Sequence, residues 1–285
     1  MRHPILISLC VTGVIALSAC EQSTENDVDR AFQSINVVDE TNLNDVMLAA
    51  ADPNEAVSYF QRAVGEKPDR IDLLRGLGKS LIRAKRHTEA VSTWVKVTEH
   101  KDATNEDRVD LADALIRNNE WERADNILDT IPPTYETFKR YRLEAMVADS
   151  NQDWKKADSF YEIAVGLTTR PASVMNNWGY SKLTRGDYPG AERLFSDSIR
   201  QDPALFTAKN NLVLARGAQQ KYSLPVLSAN QVERAQLLYT LGLSAIKQGD
   251  TAIGRGLLRD AIETHPQHFE DAARSLSALE SNVSN

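Results

Sequence analysis

Basic charge is in short supply in this sequence: 33 Lys and Arg stand against 40 Asp and Glu, a formal net charge of −7 at pH 7. A nucleic-acid binder normally carries a basic footprint, so the balance argues against that class. Turn residues are few as well. With 13 Gly and 10 Pro in 285 residues, the chain has too little punctuation for a sandwich or barrel of many short strands, and helices are favoured. Cysteine is scarcer still, with only Cys10 and Cys20. What is present is ordinary: 42% hydrophobic and 26% charged residues are close to globular usage, so the chain can bury a core.

Motifs that carry chemistry are also missing. The chain has no Gly-x-Ser-x-Gly elbow and no His-Glu-x-x-His zinc pattern among its 5 His. Gly76-Leu77-Gly78-Lys79-Ser80 looks like the end of a phosphate-binding loop, but that motif needs glycine where Leu73 stands, and the segment reads as helix. His265 and His268 flank Pro266 at a helix end, where a solvated cap suits them better than a metal. The expectation is therefore no catalytic residue, no cofactor, no metal site and no small-molecule substrate.

The first residues read as an address. Arg2 and His3 precede an apolar run from Ile5 to Leu17, the layout of a secretory signal and too short to span a bilayer comfortably. The run ends in Leu17-Ser18-Ala19-Cys20, which resembles the lipobox of bacterial lipoproteins. That resemblance implies cleavage after Ala19, acylation of Cys20 and attachment to a membrane through the lipid. Cys10 lies within the signal, so Cys20 has no internal disulfide partner after cleavage. Glu21 departs from the Asp that retains such proteins at the inner membrane, which implies the periplasmic face of the outer membrane. Glu21 to Arg30 is polar and acid-rich, and residues 20–36 read as the lipidated cysteine and a flexible tether.

The body repeats itself. Ala172 opens a unit in which Trp178, Gly179, Tyr188, Ala191, Phe195 and Pro203 resemble the tetratricopeptide repeat (TPR), a pair of helices about 34 residues long. Similar units start at Val37 with Ala56, Phe60 and Ala63, at Ile71 with Gly78, Ala90 and Trp94, at Asn105 with Ala112 and Ala124, and at Phe138 with Ala145, Ala157 and Tyr161. The five units cover 37–205. A stretch at 206–234 keeps a first helix, but Tyr222-Ser223-Leu224-Pro225 interrupts the second. A final unit with a capping helix covers 235–285. The resemblance implies an all-α, right-handed superhelical TPR solenoid of about six helix-turn-helix units, one of them eroded.

The small residues Gly78, Ala112, Ala145, Gly179 and Gly242 let the two helices of a unit approach closely. All four tryptophans fall on repeat positions, Trp94 in a second helix, Trp121 and Trp154 at turns and Trp178 in a first helix, and each is expected in the core. A concave face lined by first helices is then the expected binding surface for a partner protein. Its candidates are Asn176, Asn177, Asn210 and Asn211, with Tyr180 and Leu214 as neighbours. Side-chain amides that both donate and accept suit a partner's backbone, and they equally suit stabilising their own helices.

Asn176-Asn177-Trp178-Gly179-Tyr180, Arg185-Gly186-Asp187-Tyr188 and Asn210-Asn211-Leu212 look like the TadD lipoproteins of the tight-adherence (Flp) pilus system. The tail from Glu233 to Leu238 and His265-Pro266-Gln267-His268 is similar to the same family. The resemblance implies a scaffold that supports the outer-membrane secretin in the manner of a pilotin, with a protein partner and no turnover. Two other readings stay open: a BamD-like lipoprotein for outer-membrane β-barrels, and a regulator of a periplasmic cell-wall enzyme.

Overall fold

A computed structural model of the chain describes residues 43–281. The signal segment, Cys20 and the tether lie outside the described residues. Every described element is helical, and no strand occurs among the described residues. None of these helices is long and apolar enough to cross a membrane.

The described chain falls into two compact units that divide between Asn118 and Asn119. The division lies inside the repeat that the spacing starts at Asn105. The first unit holds α1 (43–49), α2 (Pro53–Glu66), α3 (Ile71–Arg83), α4 (His87–Glu99) and α5 (Asn105–Arg117). The second holds α6 (Trp121–Asp129), α7 (Phe138–Ser150), α8 (Trp154–Gly166), α9 (Ala172–Thr184), α10 (Tyr188–Gln201) and α11 (Phe206–Gly217). It continues with α12 (Gln231–Lys247), α13 (Thr251–Thr264) and α14 (Glu270–Ser281). Within each unit, successive helices pack against one another, which is how a repeat buries an apolar stripe that it cannot cover alone.

Local chemistry explains where the helices begin. Asp52 caps α2 by accepting from the Asn54 and Glu55 amides, and Pro53 occupies the first turn, where its missing N–H costs nothing. Reciprocal capping boxes start α5, through Thr104 and Asp107, and α12, through Asn230 and Glu233. The second box sets α12 four residues earlier than a unit opening at Ala235 would.

Short turns join many of the helices, and the chain places a residue in the left-handed region at Lys85, Asn119, Gln152, Gly186, Gln220 and Gly249, with φ from 59° to 91°. Only two of these are glycine. A side chain there costs free energy that glycine avoids. Lys85 is exposed at φ 59°, so Lys85→Gly is expected to raise the stability of the first unit by about 0.5–1 kcal/mol. Urea denaturation of the two forms checks this, and a destabilised variant would contradict it.

The core is built from small residues facing aromatics. A Cβ on Gly78 would stand 2.7 Å from the Trp94 ring, and one on Gly179 would stand 2.7 Å from the Phe195 ring. Trp94 and Phe195 are fully buried as a result. The interrupted repeat keeps its core by other means. After α11, Leu224 and Leu227 pack with Val213, Leu237 and Leu241, so an irregular segment fills the place of a second helix. Tyr222 ties this segment down by donating to Asp250, and Glu192 accepts from Arg216, Gln219 and Lys221.

Candidate functional site

The first helices of successive repeats in the second unit, α7, α9 and α11, line one face of a groove. Because α9 packs on both α10 and α11, the residues of α9 and α11 spaced one repeat apart lie side by side. Asn211 on α11 donates its side-chain amide to the Asn176 side-chain oxygen on α9 at 3.0 Å, and both residues are buried. This contact leaves the Asn176 N–H donors and the Asn211 oxygen able to serve other partners.

Beside the amides lies Asp149 on α7. It accepts from the Ser181 hydroxyl at 2.6 Å and from the Tyr161 phenol at 2.8 Å, so one carboxylate links α7, α8 and α9. Burial pushes the Asp149 carboxyl above its ordinary range, and the two hydrogen bonds offset only part of that cost. Burial, followed by the neighbouring Asp149 charge, pushes the Tyr161 phenol upward, so it remains a donor at neutral pH.

A second carboxylate, on α8 itself, ties that helix to α9. Asp158 accepts from the Trp178 indole, the Lys182 ammonium and the Arg185 guanidinium. Burial pushes this carboxyl up, but the three donors together outweigh burial and hold it below the usual range. Arg185 also donates to the Trp154 carbonyl and lies 5.6 Å from the centre of the Trp154 ring. The Tyr161 and Trp178 rings stack at 6.2 Å, which completes the support under α9.

These elements enclose an open cavity of about 560 Å³. Its walls include Trp121, Trp154, Tyr161 and Tyr180, and its polar edge includes Asn176, Asn177, Asn211 and Asp149. Of the six groove candidates, the structure brings Asn176, Asn177, Tyr180 and Asn211 together here. Asn210 and Leu214 are not among the described lining residues. Asn210 instead accepts from the Thr240 hydroxyl at 2.8 Å, because it points to α12 rather than to α9. Two tryptophans expected in the core also change role: Trp121 and Trp154 are only half-buried and form walls of the cavity. Their spacing of 33 residues, close to one repeat, was the signal that both sit at the same place on the surface.

The phosphate-loop look-alike is settled by α3. Gly76, Gly78 and Ser80 are buried within that helix, and the Ser80 hydroxyl donates to the Gly76 carbonyl at 2.8 Å. The backbone N–H groups there are engaged in the helix and cannot cradle phosphate. Among the described residues, no group of three His, Cys, Asp or Glu is placed to hold a metal ion.

Tetratricopeptide-repeat family models match residues 45–106 and 236–268. No curated protein matches the sequence. Among solved structures, the chain is similar to the APC/C hetero-tetramer Cut9–Hcn1, with TM-score 0.59, 14% identity, and 83% of this chain and 48% of that one covered. This chain therefore spans about half the length of the Cut9–Hcn1 chain that it matches. It is also similar to a tetratricopeptide repeat protein from Parabacteroides merdae, with TM-score 0.53, 16% identity, and 91% and 99% covered. A third similarity is to the human IFIT1 dimer with m7Gppp-AAAA, with TM-score 0.56, 12% identity, and 83% and 61% covered. At these identities the likeness concerns the fold alone. Paired helices, small-to-aromatic packing inside each pair, and repeat models matching two stretches give this chain the tetratricopeptide-repeat fold.

Proposed function

We propose that the chain is a lipid-anchored scaffold that binds a protein partner during assembly of a tight-adherence (Flp) pilus, in support of the outer-membrane secretin. TPR folds are generally non-catalytic scaffolds for protein–protein interaction, which sets the class. The observation that carries the reading is the groove of the second unit, where aromatics and side-chain amides line about 560 Å³ beside the first helices. Such a surface offers contact area to side chains and hydrogen bonds to an extended backbone.

The anchor and the pilus rest on the sequence. Leu17-Ser18-Ala19-Cys20 supplies the lipid site, and Asn176 to Tyr180 with Asn210 to Leu212 supply the TadD resemblance. Several acyl chains on one cysteine hold a protein on a membrane stably. Cys20→Ser is therefore expected to move the protein from the membrane fraction to the soluble fraction of lysed cells. Continued membrane association of that variant would contradict the anchor. Deletion of the gene is expected to lower one secretin in the outer membrane. A fall in many β-barrel proteins at once would favour the BamD-like role instead.

A further inference from the structure

The groove carries one charge. Asp149 is the only charged side chain on the described lining, and no Lys, Arg or His joins it there. Arg185, whose charge acts on Asp149 from outside the lining, is shared with Asp158, which also pairs with Lys182. A carboxylate has about four acceptor positions, and Ser181 and Tyr161 occupy one on each Asp149 oxygen. Acceptor capacity therefore remains, on a group whose charge burial makes costly. Around it, Trp121, Trp154 and Tyr180 present aromatic surface. Aromatic faces attract a cation, as the Arg185 guanidinium 5.6 Å from the centre of the Trp154 ring illustrates outside the lining.

Resting on the reading of the groove as a partner site, we propose that its occupant is an extended protein segment that inserts an arginine or lysine side chain among these aromatics toward Asp149. Charge complementarity decides the choice. An acidic segment would meet a like charge, and a wholly apolar one would desolvate the carboxylate further while adding nothing to its hydrogen bonds from Ser181 and Tyr161. A basic side chain fits both parts of the site, its apolar stem against the rings and its charge on the acid.

The test uses the full-length chain, purified in detergent, and a randomised peptide library displayed on phage. Selection runs in parallel on the unmodified protein and on Asn177→Trp, whose indole occupies the groove. Peptides that bind only the unmodified protein are expected to be rich in Arg and Lys. Replacing that basic residue with norleucine in synthetic copies is expected to weaken binding about tenfold, and the difference is expected to vanish in Asp149→Asn. The norleucine comparison alone decides the matter if Asp149→Asn does not fold. Groove-dependent peptides without basic residues, or with affinity unchanged by norleucine, would overturn the basic occupant and leave the partner groove standing. Absence of any groove-dependent peptide would overturn both.

Discussion

Phe195→Ala is expected to destabilise the second unit by about 3–5 kcal/mol. Phe195 is fully buried, and it packs with Ala191, Leu212 and Ala215, with Leu183, Ile199 and Leu227 around them. Its ring fills the space that Gly179 leaves open, where a Cβ would stand 2.7 Å away. Alanine would therefore leave a cavity bounded by α9, α10 and α11 rather than a gap that neighbours could close. The same ring position also joins one repeat to the next through Leu212 and Ala215 on α11. In a repeat protein, stability is a sum of internal and nearest-neighbour terms, so losing both at one residue is severe. Typical domains hold only about 5–15 kcal/mol in total, which makes this a large fraction. Urea denaturation followed by circular dichroism measures it, and a loss below about 1 kcal/mol would show that the aromatic does not hold the repeat together.

Tyr180→Ala should behave in the opposite way. Tyr180 is 52% exposed and lies on the groove wall, so its removal takes little from the core. Stability is expected to change by no more than about 0.5 kcal/mol. Partner binding is expected to weaken by about 2 kcal/mol or more, roughly thirtyfold, because tyrosine on a concave surface is the type of residue that dominates interface energy. Calorimetry with the captured partner segment, alongside a thermal melt, separates the two effects. A variant that binds normally would remove Tyr180 from the interface. One that melts early would return it to a structural role.

The helix register was legible because the packing rule is written in residue types. Gly78 opposite Trp94 and Gly179 opposite Phe195 recur at the repeat spacing, and α3, α5, α7, α9 and α11 begin at Ile71, Asn105, Phe138, Ala172 and Phe206. The turns were harder to read. Lys85, Gln152 and Gln220 hold left-handed backbone without being glycine, so their conformation is imposed by the flanking helices rather than by local preference. The start of α12 is written in Asn230 and Glu233 as a capping box, a short local signal that precedes the repeat unit at Ala235.

The site was legible only in part for a related reason. Asn176, Asn177, Tyr180 and Asn211 share a first-helix face, which spacing alone shows. Asn210 is turned about 100° from Asn211 along the same helix, and so it meets Thr240 instead of the groove. Asp149 gave no sign in the sequence, since its importance depends on Ser181 and Tyr161 arriving from two other helices. Trp121 and Trp154 looked like core because tryptophan usually is, yet positions at the start of second helices border the groove and leave one side of each ring open.

The central claim is that the first-helix face of the second unit holds a partner protein. Site-specific photocrosslinking in intact cells tests it most directly, with the photoreactive group at Asn177 on the groove wall and, as control, at Ile163, which is 38% exposed on α8 and outside the lining. A discrete crosslinked partner is expected from position 177 and none from position 163. Equal products from both positions, or none from either in cells that assemble the pilus, would contradict it.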